Sequence, residues 1–450
     1  MRSLLADEES RHSLWLRVRR FAVPPSMIES VATRRRVGDW AGACAAAHVD
    51  VDMDLRRAAR AFGRELAARV RDDLRHLIPD LLRWHLPRIA PAGLMRPGLT
   101  MSLATYGHVH LVVRTPPAWA DGGQRTSLAL WEPVGCRDGP GIHPHPHPDR
   151  RYRLDLHRHL WDARHTHELG ARSGARPVPG GSPLGGAECL PVGIGAAVDR
   201  WTAEAGILLR AEGRDAGRVA VRLGSRRMLL LHVDASAGGA AIVGPARPRV
   251  ARTLPVLPDA ATWVLPDLEL LRAGLIDPGE LHPLVAAALT PGHLRPARRQ
   301  PERPGLVECR GAWHRIGLVD GVLVPLDHDP VQLRRESLLA ALSGSPLPCL
   351  RFIDEAYRCP EDLDDIRARL DHGDTAGALS TVEELLGPDV PLCDGPLRDA
   401  VDAAAQRRIV YALFRAGLAG SRPGPTAGTP RRTGTRRRTR HATHTPATKR

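Results

Sequence analysis

The sequence predicts an α+β protein in which helical units at both ends flank a central part with antiparallel β-hairpins. Near both ends of the chain, apolar residues recur every three or four positions, as on one face of a helix. From about residue 100 to residue 326, short apolar stretches alternate with turn residues, which indicates strands joined as hairpins. The chain has 450 residues, enough for two or three domains of about 100–200 residues each.

The N-terminal helical unit is predicted from its start signals and its periodicity. Ser26 and Glu29 have the spacing of a capping box, so a helix should begin there. Asp39 follows a glycine and can cap the next helix. The apolar spacing from Leu55 onward predicts one long amphipathic helix that ends near Pro79. The residues before Ser26 show no clear periodicity.

The central part is predicted from period-two patterns and turn residues. The predicted strands are 106–114, 127–131, 219–223, 228–233, 313–319 and 322–326. The last four form two hairpins, one of which turns through Asp320 and Gly321. Helices are predicted at 194–209, 268–271 and 281–289.

The C-terminal unit is predicted to be helical. Asp329 before Pro330 is typical of a helix start. Further helices are predicted at 349–358, 360–371, 375–386 and 397–417. Residues 373–379 match residues 38–44 at five of seven positions, beginning with Gly-Asp in both, which indicates two similar helical hairpins.

Changes in composition divide the chain into seven segments. These are an N-terminal extension (1–26), a helical unit (27–95), a mixed α/β segment with a histidine-rich stretch (96–170), a linker (171–188), an α+β unit with two hairpins (189–330), a helical unit (331–420) and a basic tail (421–450). The tail has no large apolar or aromatic residue, so it is predicted to be disordered.

The charge of the protein is concentrated in this tail. The net charge is +14, but residues 422–450 contain nine basic residues and no acid, which leaves +5 for the rest. Nucleic-acid binding is therefore predicted for the tail alone, through its arginines and the phosphate backbone. Those arginines are Arg431, Arg432, Arg436, Arg437, Arg438 and Arg440.

Composition also excludes several classes of protein. Lys449 is the single lysine, so neither a P-loop nor a kinase-type lysine is present. The seven cysteines form no Cys-x-x-Cys pair, which argues against zinc ribbons and favours reduced thiols in the cytoplasm. No apolar run is long enough to cross a membrane. We expect a cytoplasmic protein.

The histidine-rich stretch carries the only candidate metal site. Its four later histidines are His157, His159, His165 and His167. In a strand, His157 and His159 would share a face and could bind zinc together, whereas in a helix they would point apart. The spacing fits no established metalloenzyme motif, so a helix without metal is the preferred interpretation. A metal-dependent hydrolase is the alternative.

Three stretches of sequence resemble an uncharacterised family of actinobacterial proteins. They are 36–52 (RVGDWAGACAAAHVDVD), 80–87 (DLLRWHLP) and 155–162 (DLHRHLWD). The resemblance covers most of residues 27–420 and brings no assigned activity and no catalytic residues. It implies genes that lie near MoxR-type AAA ATPases, and hence an accessory role.

Two stretches resemble functional motifs but lack residues that those motifs require. Asp50, Asp52 and Asp54 lack the glycine and glutamate of a calcium loop, and Ser236 lacks the glycine of a nucleophile elbow. The predicted function is therefore a non-catalytic interaction or adaptor protein without a cofactor. Its protein partner is unknown, with a MoxR-type AAA ATPase as the candidate.

Overall fold

The computed structural model describes the greater part of the chain. The described residues are 2–133, 143–175, 184–186, 190, 195–224, 227–234, 239–246, 253–292, 306–309, 311–319, 322–325, 327–329, 331–335, 338, 348–351, 361–386 and 395–418. The basic tail with its six candidate arginines lies outside them, as do most of the predicted linker 171–188 and most of the predicted helix 349–358.

Helices occupy both ends of the described chain and the connections between its sheets. They are α1 (Arg2–Phe21), α2 (Pro25–Arg36), α3 (Trp40–Ala46), α4 (Leu55–Phe62), α5 (Arg64–His76), α6 (Pro79–His85), α7 (Leu169–Arg172), α8 (Val198–Ala211), α9 (Asp259–Thr262), α10 (Pro266–Arg272), α11 (Pro283–Leu289), α12 (Glu361–His372), α13 (Thr375–Leu386) and α14 (Pro396–Arg415).

The strands fall between these two helical ends. They are β1 (Val49–Val51), β2 (Arg88–Ile89), β3 (Leu94–Met95), β4 (Thr100–Tyr106), β5 (Val109–Arg114), β6 (Thr126–Trp131), β7 (Ala216–Arg222), β8 (Met228–Asp234), β9 (Gly239–Pro245), β10 (Leu306–Cys309), β11 (Ala312–Val319) and β12 (Val322–Pro325).

The strands form antiparallel hairpin sheets, which confirms the predicted α+β class. The largest sheet has the order β1-β6-β5-β4, and β1 is parallel to β6. Two three-stranded sheets have the orders β7-β8-β9 and β10-β11-β12, each antiparallel. The strands β2 and β3 form a small hairpin. Both predicted hairpins are present.

Two hydrophobic cores hold most of the described chain together. The larger one packs the N-terminal helices onto the four-stranded sheet, with Leu81, Trp84 and Met101 fully buried. The smaller one packs α8 onto the β7–β9 sheet around Trp201. Burial of apolar surface of this kind is the main force that stabilises each layer.

Three local predictions differ from the structure. The N-terminal extension contains the helix α1, whose Val18 and Phe21 are buried in the fold. The helix α2 begins at Pro25, with no side-chain cap and so no capping box. The long helix predicted from Leu55 is two helices, because Gly63 has a φ of +92°, a conformation that only glycine adopts easily.

One predicted strand is also two strands. Residues 106–114 turn at Gly107, which has a φ of +69°. Tyr106 therefore ends β4, and Val109 begins β5 on the neighbouring side of the hairpin. The period-two pattern continues through the turn, so it gave no sign of the break.

The two Gly-Asp turns form matched helical hairpins. Asp39 accepts a hydrogen bond from the backbone of Gly42 at the start of α3, and Asp374 accepts one from Gly377 at the start of α13. An arginine five residues earlier bonds each aspartate, at 2.9 Å and 3.0 Å. Each aspartate thus supplies the N-cap that the sequence predicted.

Arg83 joins distant parts of the fold from a fully buried position. Its guanidinium donates to the carbonyl oxygens of Ala22, Gln124 and His372. Ala22 and His372 lie at the C-terminal ends of α1 and α12, where carbonyl groups lack partners within the helix. Burial, together with the nearby Arg125, lowers the pKa of Arg83 to about 10. The helices α1 and α12 therefore meet on one buried cation.

The histidine-rich stretch is a series of short 3₁₀ turns, not a regular helix or strand. The buried carboxylate of Asp162 accepts hydrogen bonds from Arg158 and Arg164, and both arginines also bond Asp73 of α5. This ion-pair network fastens the stretch to the core and satisfies the buried carboxylate. It places His157 and His159 inside the protein.

Candidate functional site

A cavity of about 390 Å³ lies between α1, α6, the turns at 151–160 and the segment 258–266. We call it the arginine pocket, because eight arginines line it. They are Arg11, Arg19, Arg88, Arg96, Arg151, Arg153, Arg172 and Arg200. The volume is within the range of about 300–1,000 Å³ that is usual for small-molecule sites.

Five of these arginines have carboxylate partners. The pairs are Arg11–Glu269, Arg19–Asp267 (2.5 Å), Arg151–Asp259 (2.7 Å), Arg153–Asp155 (2.8 Å) and Arg172–Glu204 (2.6 Å). Among the described residues, the remaining three arginines have no carboxylate within ion-pair distance. The pocket therefore has an excess of positive charge.

Arg88 is the most unusual of the three. It is 9% exposed, and its Nη2 donates to the carbonyl oxygen of Arg83 at 2.6 Å. Its Nε and Nη1 are buried and have no hydrogen-bond partner in the described part of the chain. Burial, and then the nearby Arg83 and Arg19, hold the pKa of Arg88 well below its usual value. A buried charge of this kind is costly unless something pairs with it.

Arg200, which also lines the pocket, repeats this arrangement. Arg200 lies in the first turn of α8 and is 6% exposed. Its Nη2 donates to the carbonyl oxygen of Trp263 at 2.9 Å, while its buried Nε lacks a partner within the described residues. Burial lowers its pKa even though Glu204 lies nearby. Arg88 and Arg200 thus both line the cavity, and both have N–H groups without a hydrogen-bond partner among the described residues.

Aromatic rings form the apolar part of the wall. Arg19 lies against two of them, with its guanidinium carbon 4.4 Å from the ring centroid of Trp84 and 5.1 Å from that of Trp15. Tyr152 and Trp263 also line the cavity. Stacked guanidinium and indole groups present a flat surface that is both cationic and apolar.

Burial lowers the pKa values of two histidines in the pocket. Burial is the main cause that lowers the pKa of His85 to about 3, and burial with the nearby Arg172 holds the pKa of His159 well below its usual range. The Nε2 of His85 and the Nδ1 of His159 lack hydrogen-bond partners among the described residues. A neutral imidazole can donate or accept one hydrogen bond there.

His157 lies behind the pocket and is held on both sides. Its Nδ1 is 3.0 Å from the carbonyl oxygen of Arg153, and its Nε2 is 3.3 Å from Glu204. Although burial opposes it, contact with His157 and Arg172 lowers the pKa of Glu204 to about 2. Glu204 is therefore ionised and fixes the orientation of Arg172 at the pocket wall.

The four histidines predicted as metal ligands fall into two pairs. The rings of His157 and His159 are 5.7 Å apart inside the protein. The rings of His165 and His167 are 6.5 Å apart, and His165 bonds Glu168 at 2.7 Å. Across the described residues, none of these histidines belongs to a metal-sized group of three or more ligands.

A different group of residues does have that arrangement. Ligand atoms of Cys309, His328 and Cys349 all lie within 4.8 Å of one another. Burial, with the neighbouring Cys309, raises the pKa of Cys349 to about 11. The thiol is therefore protonated unless a cation lies beside it.

Comparison with known proteins gives no relative for this chain. No family model, no curated protein and no solved structure matches it. In the part of the chain that is described, no helix combines the length and the apolar character needed to cross a bilayer.

The residues that define the pocket could not be selected from the sequence. Arg88 and Arg200 are two of 63 arginines, and nothing local separates them from exposed ones. Only His159 was both a predicted site residue and a pocket residue. The histidine-rich stretch thus lies at the arginine pocket, but arginines rather than histidines determine the charge of that pocket.

Proposed function

We propose that this protein binds a small anionic ligand with a flat apolar body in the arginine pocket. The observation that carries the proposal is Arg88, a buried cation whose Nε and Nη1 have no hydrogen-bond partner among the described residues. A negatively charged group between Arg88 and Arg200 would accept these donors. The flat body would lie along Trp15 and Trp263.

Energetics support a ligand over a purely structural role. An unpaired buried charge costs several kcal/mol after relaxation of its surroundings, and an apolar side chain would fill the same space without that cost. A cation retained in such a position is typical of a binding site, where the partner arrives with the ligand. Arg83 provides the contrast, because its three bonds to carbonyl oxygens give it a structural role.

The ligand class follows from the donors. Guanidinium groups bind phosphate and carboxylate through two parallel hydrogen bonds. The five arginines that already have carboxylate partners keep the wall rigid, so they need no rearrangement when the ligand enters. A pocket of this volume suits a ligand the size of a nucleoside monophosphate or an aromatic carboxylate.

Calorimetric titration of the full chain tests the proposal. The probes are AMP and naphthalene-2-carboxylate, with adenosine and naphthalene as uncharged counterparts. At least one anionic probe should bind, and its uncharged counterpart should bind at least about tenfold more weakly, since a charge-assisted hydrogen bond contributes about 1.5–3 kcal/mol. Arg88→Met should weaken binding of the anion by about the same factor.

Arg75→Gln is the matched control. Arg75 is exposed on α5 and is not part of the pocket, so its removal changes net charge alone. The proposal is wrong if neither anion binds, or if Arg75→Gln weakens binding as much as Arg88→Met does.

The remaining predictions stand apart from this site. An adaptor role beside an AAA ATPase and nucleic-acid binding through the tail stay predictions. Zinc bound by His157, His159, His165 and His167 has no support from their positions, and we propose a metal at Cys309, His328 and Cys349 instead. That metal would take no part in ligand binding at the arginine pocket.

A further inference from the structure

Cys309, His328 and Cys349 come from three separate elements of the chain. Cys309 ends β10 and pairs with Ala312 across a tight turn at Gly311, whose φ is +79°. His328 lies just after β12, and Cys349 lies in a helical segment at 348–351. The fold therefore gathers residues that are about twenty positions (Cys309 to His328, and His328 to Cys349) and forty positions (Cys309 to Cys349) apart in sequence.

Both cysteines are shielded from solvent. Cys309 is 1% exposed and Cys349 is fully buried, and both are reduced. At a Zn–S distance of about 2.3 Å, two sulfurs of a tetrahedral site are about 3.8 Å apart. Atoms already within 4.8 Å of one another need to move by only about 1 Å to reach this arrangement.

The β10–β12 sheet is small, with strands of four, eight and four residues. Trp313 of β11 is 63% exposed. A metal or a disulfide is a usual means of stabilising so small a unit.

A disulfide between the two cysteines explains less of the site than a metal does. It would leave unexplained why an imidazole lies within ligand distance of both sulfurs. Two cysteines and one histidine are the nitrogen and sulfur donors that zinc prefers. A second imidazole is also close: the ring of His314 stacks on that of His328 at 4.0 Å, and its Nδ1 has no hydrogen-bond partner among the described residues.

We propose that Cys309, His328 and Cys349 bind a zinc ion that fastens the β10–β12 sheet to the helical segment at 348–351. The fourth ligand is a water molecule, or His314 if its ring turns out of the stack with His328. With four protein ligands the site is structural, and with three it keeps an open position of the kind that catalytic zinc sites have. The site is independent of the arginine pocket.

Metal analysis of the untagged full chain, purified without added metal and then reconstituted with zinc and desalted, tests the proposal. About one zinc ion per chain should remain. His328→Ala should lower zinc affinity by more than about tenfold while both thiols stay in place. Cys44→Ala is the control, because Cys44 is a buried cysteine of the main core. Its zinc content should equal that of the parent protein.

Cobalt substitution separates the two assignments of the fourth ligand. Cobalt bound through cysteine should give a thiolate charge-transfer absorption that is weaker after Cys309→Ser and absent when Cys309→Ser is combined with Cys349→Ser. His314→Ala should change the ligand-field bands if His314 is a ligand, and should leave them unchanged if water is. The proposal is overturned if the reconstituted protein retains no zinc, if Cys309→Ser with Cys349→Ser retains it, or if mass analysis finds the two cysteines joined as a disulfide under these conditions.

Discussion

The hydroxyl of Tyr411 donates a 2.6 Å hydrogen bond to the carboxylate of Asp50, which lies 361 positions earlier in the chain. Tyr411 is on the last helix, α14, and Asp50 is on β1 at the edge of the four-stranded sheet. Asp50 also accepts two hydrogen bonds from Arg125. The C-terminal helix is thus held to the edge of the central sheet by a charge-assisted hydrogen bond.

Removing this hydroxyl should destabilise the whole fold. Tyr411→Phe should lower the free energy of unfolding by about 1.5–3 kcal/mol, the usual contribution of a hydrogen bond to a charged group. Urea unfolding followed by tryptophan fluorescence measures it. Tyr152→Phe is the control, because the described structure gives the hydroxyl of Tyr152 no protein partner, so its loss should cost less than about 0.5 kcal/mol. Equal effects of the two substitutions would contradict the assignment.

Two buried arginines five positions apart should respond in opposite ways to replacement by methionine. Arg83→Met should destabilise the protein by about 3–5 kcal/mol, because three buried carbonyl oxygens lose their donor. Arg88→Met should leave the stability unchanged or raise it, because it replaces a buried cation that has no carboxylate partner among the described residues with an apolar group.

Thermal unfolding of the two variants, without added ligand, gives the comparison. If Arg88→Met lowers the melting temperature as much as Arg83→Met does, Arg88 has a structural role, and the basis for the proposed ligand is lost.

The sequence predicted elements better than it predicted contacts. Helices and hairpins with clear periodicity were found in place, because their patterns report local burial. The helix α1 was missed because Arg19 lies in its buried face, where it pairs with Asp267, so the apolar period is interrupted. Gly63 was overlooked because a single glycine is tolerated in many helices, and only its backbone conformation reveals the break.

The candidate site depends on relationships that no local pattern contains. Arg88 differs from exposed arginines only through burial and the absence of a carboxylate among its described neighbours, and both are properties of the tertiary structure. In the same way, Cys309 and Cys349 are about forty positions apart and show no Cys-x-x-Cys spacing. The histidines attracted attention because they are close in sequence, which is a weaker guide to a site than proximity in space.

Buried neutral histidines predict a loss of stability in mild acid. The pKa values of His48, His85 and His372 are lowered from 6.5 to about 3, in each case chiefly by burial. Between these two values the unfolded chain binds protons that the folded chain does not bind. The free energy of unfolding should therefore decrease as the pH falls below about 6.5, by up to about 1.4 kcal/mol per pH unit for each histidine.

His48→Asn tests how much one histidine contributes to this pH dependence of the free energy of unfolding. His48 has a positive φ of 58°, which asparagine tolerates, so the substitution removes a titrating group without straining the backbone. Urea unfolding between about pH 7 and pH 5 should show a slope smaller by about one proton. His108→Asn, at a histidine ring that is 73% exposed, is the control for the substitution itself. An unchanged slope in His48→Asn would show that this histidine does not contribute.

Gly38 and Gly373 are at equivalent positions in the two helical hairpins. Substituting each of them separates the cost of backbone strain from the cost of a steric clash. Gly38 and Gly373 both have a positive φ, +77° and +85°. A β-carbon on Gly38 would meet nothing within 4 Å, whereas one on Gly373 would lie 2.1 Å from the carbonyl oxygen of Gly123. Gly38→Ala should therefore cost only the conformational strain, about 1–2 kcal/mol. Gly373→Ala should cost at least about 1 kcal/mol more, because the backbone at Gly123 must move.

The two costs come from urea unfolding curves of the single variants. Movement at Gly123 would also disturb Gln124, whose carbonyl oxygen accepts a hydrogen bond from the buried Arg83. Gly373→Ala should therefore lose additional stability through that bond, and combining it with Arg83→Met should destabilise by less than the sum of the two single substitutions. If the two losses of unfolding free energy simply add, the substitutions act on independent parts of the fold. The contact between Gly373 and the loop at Gly123 would then be contradicted.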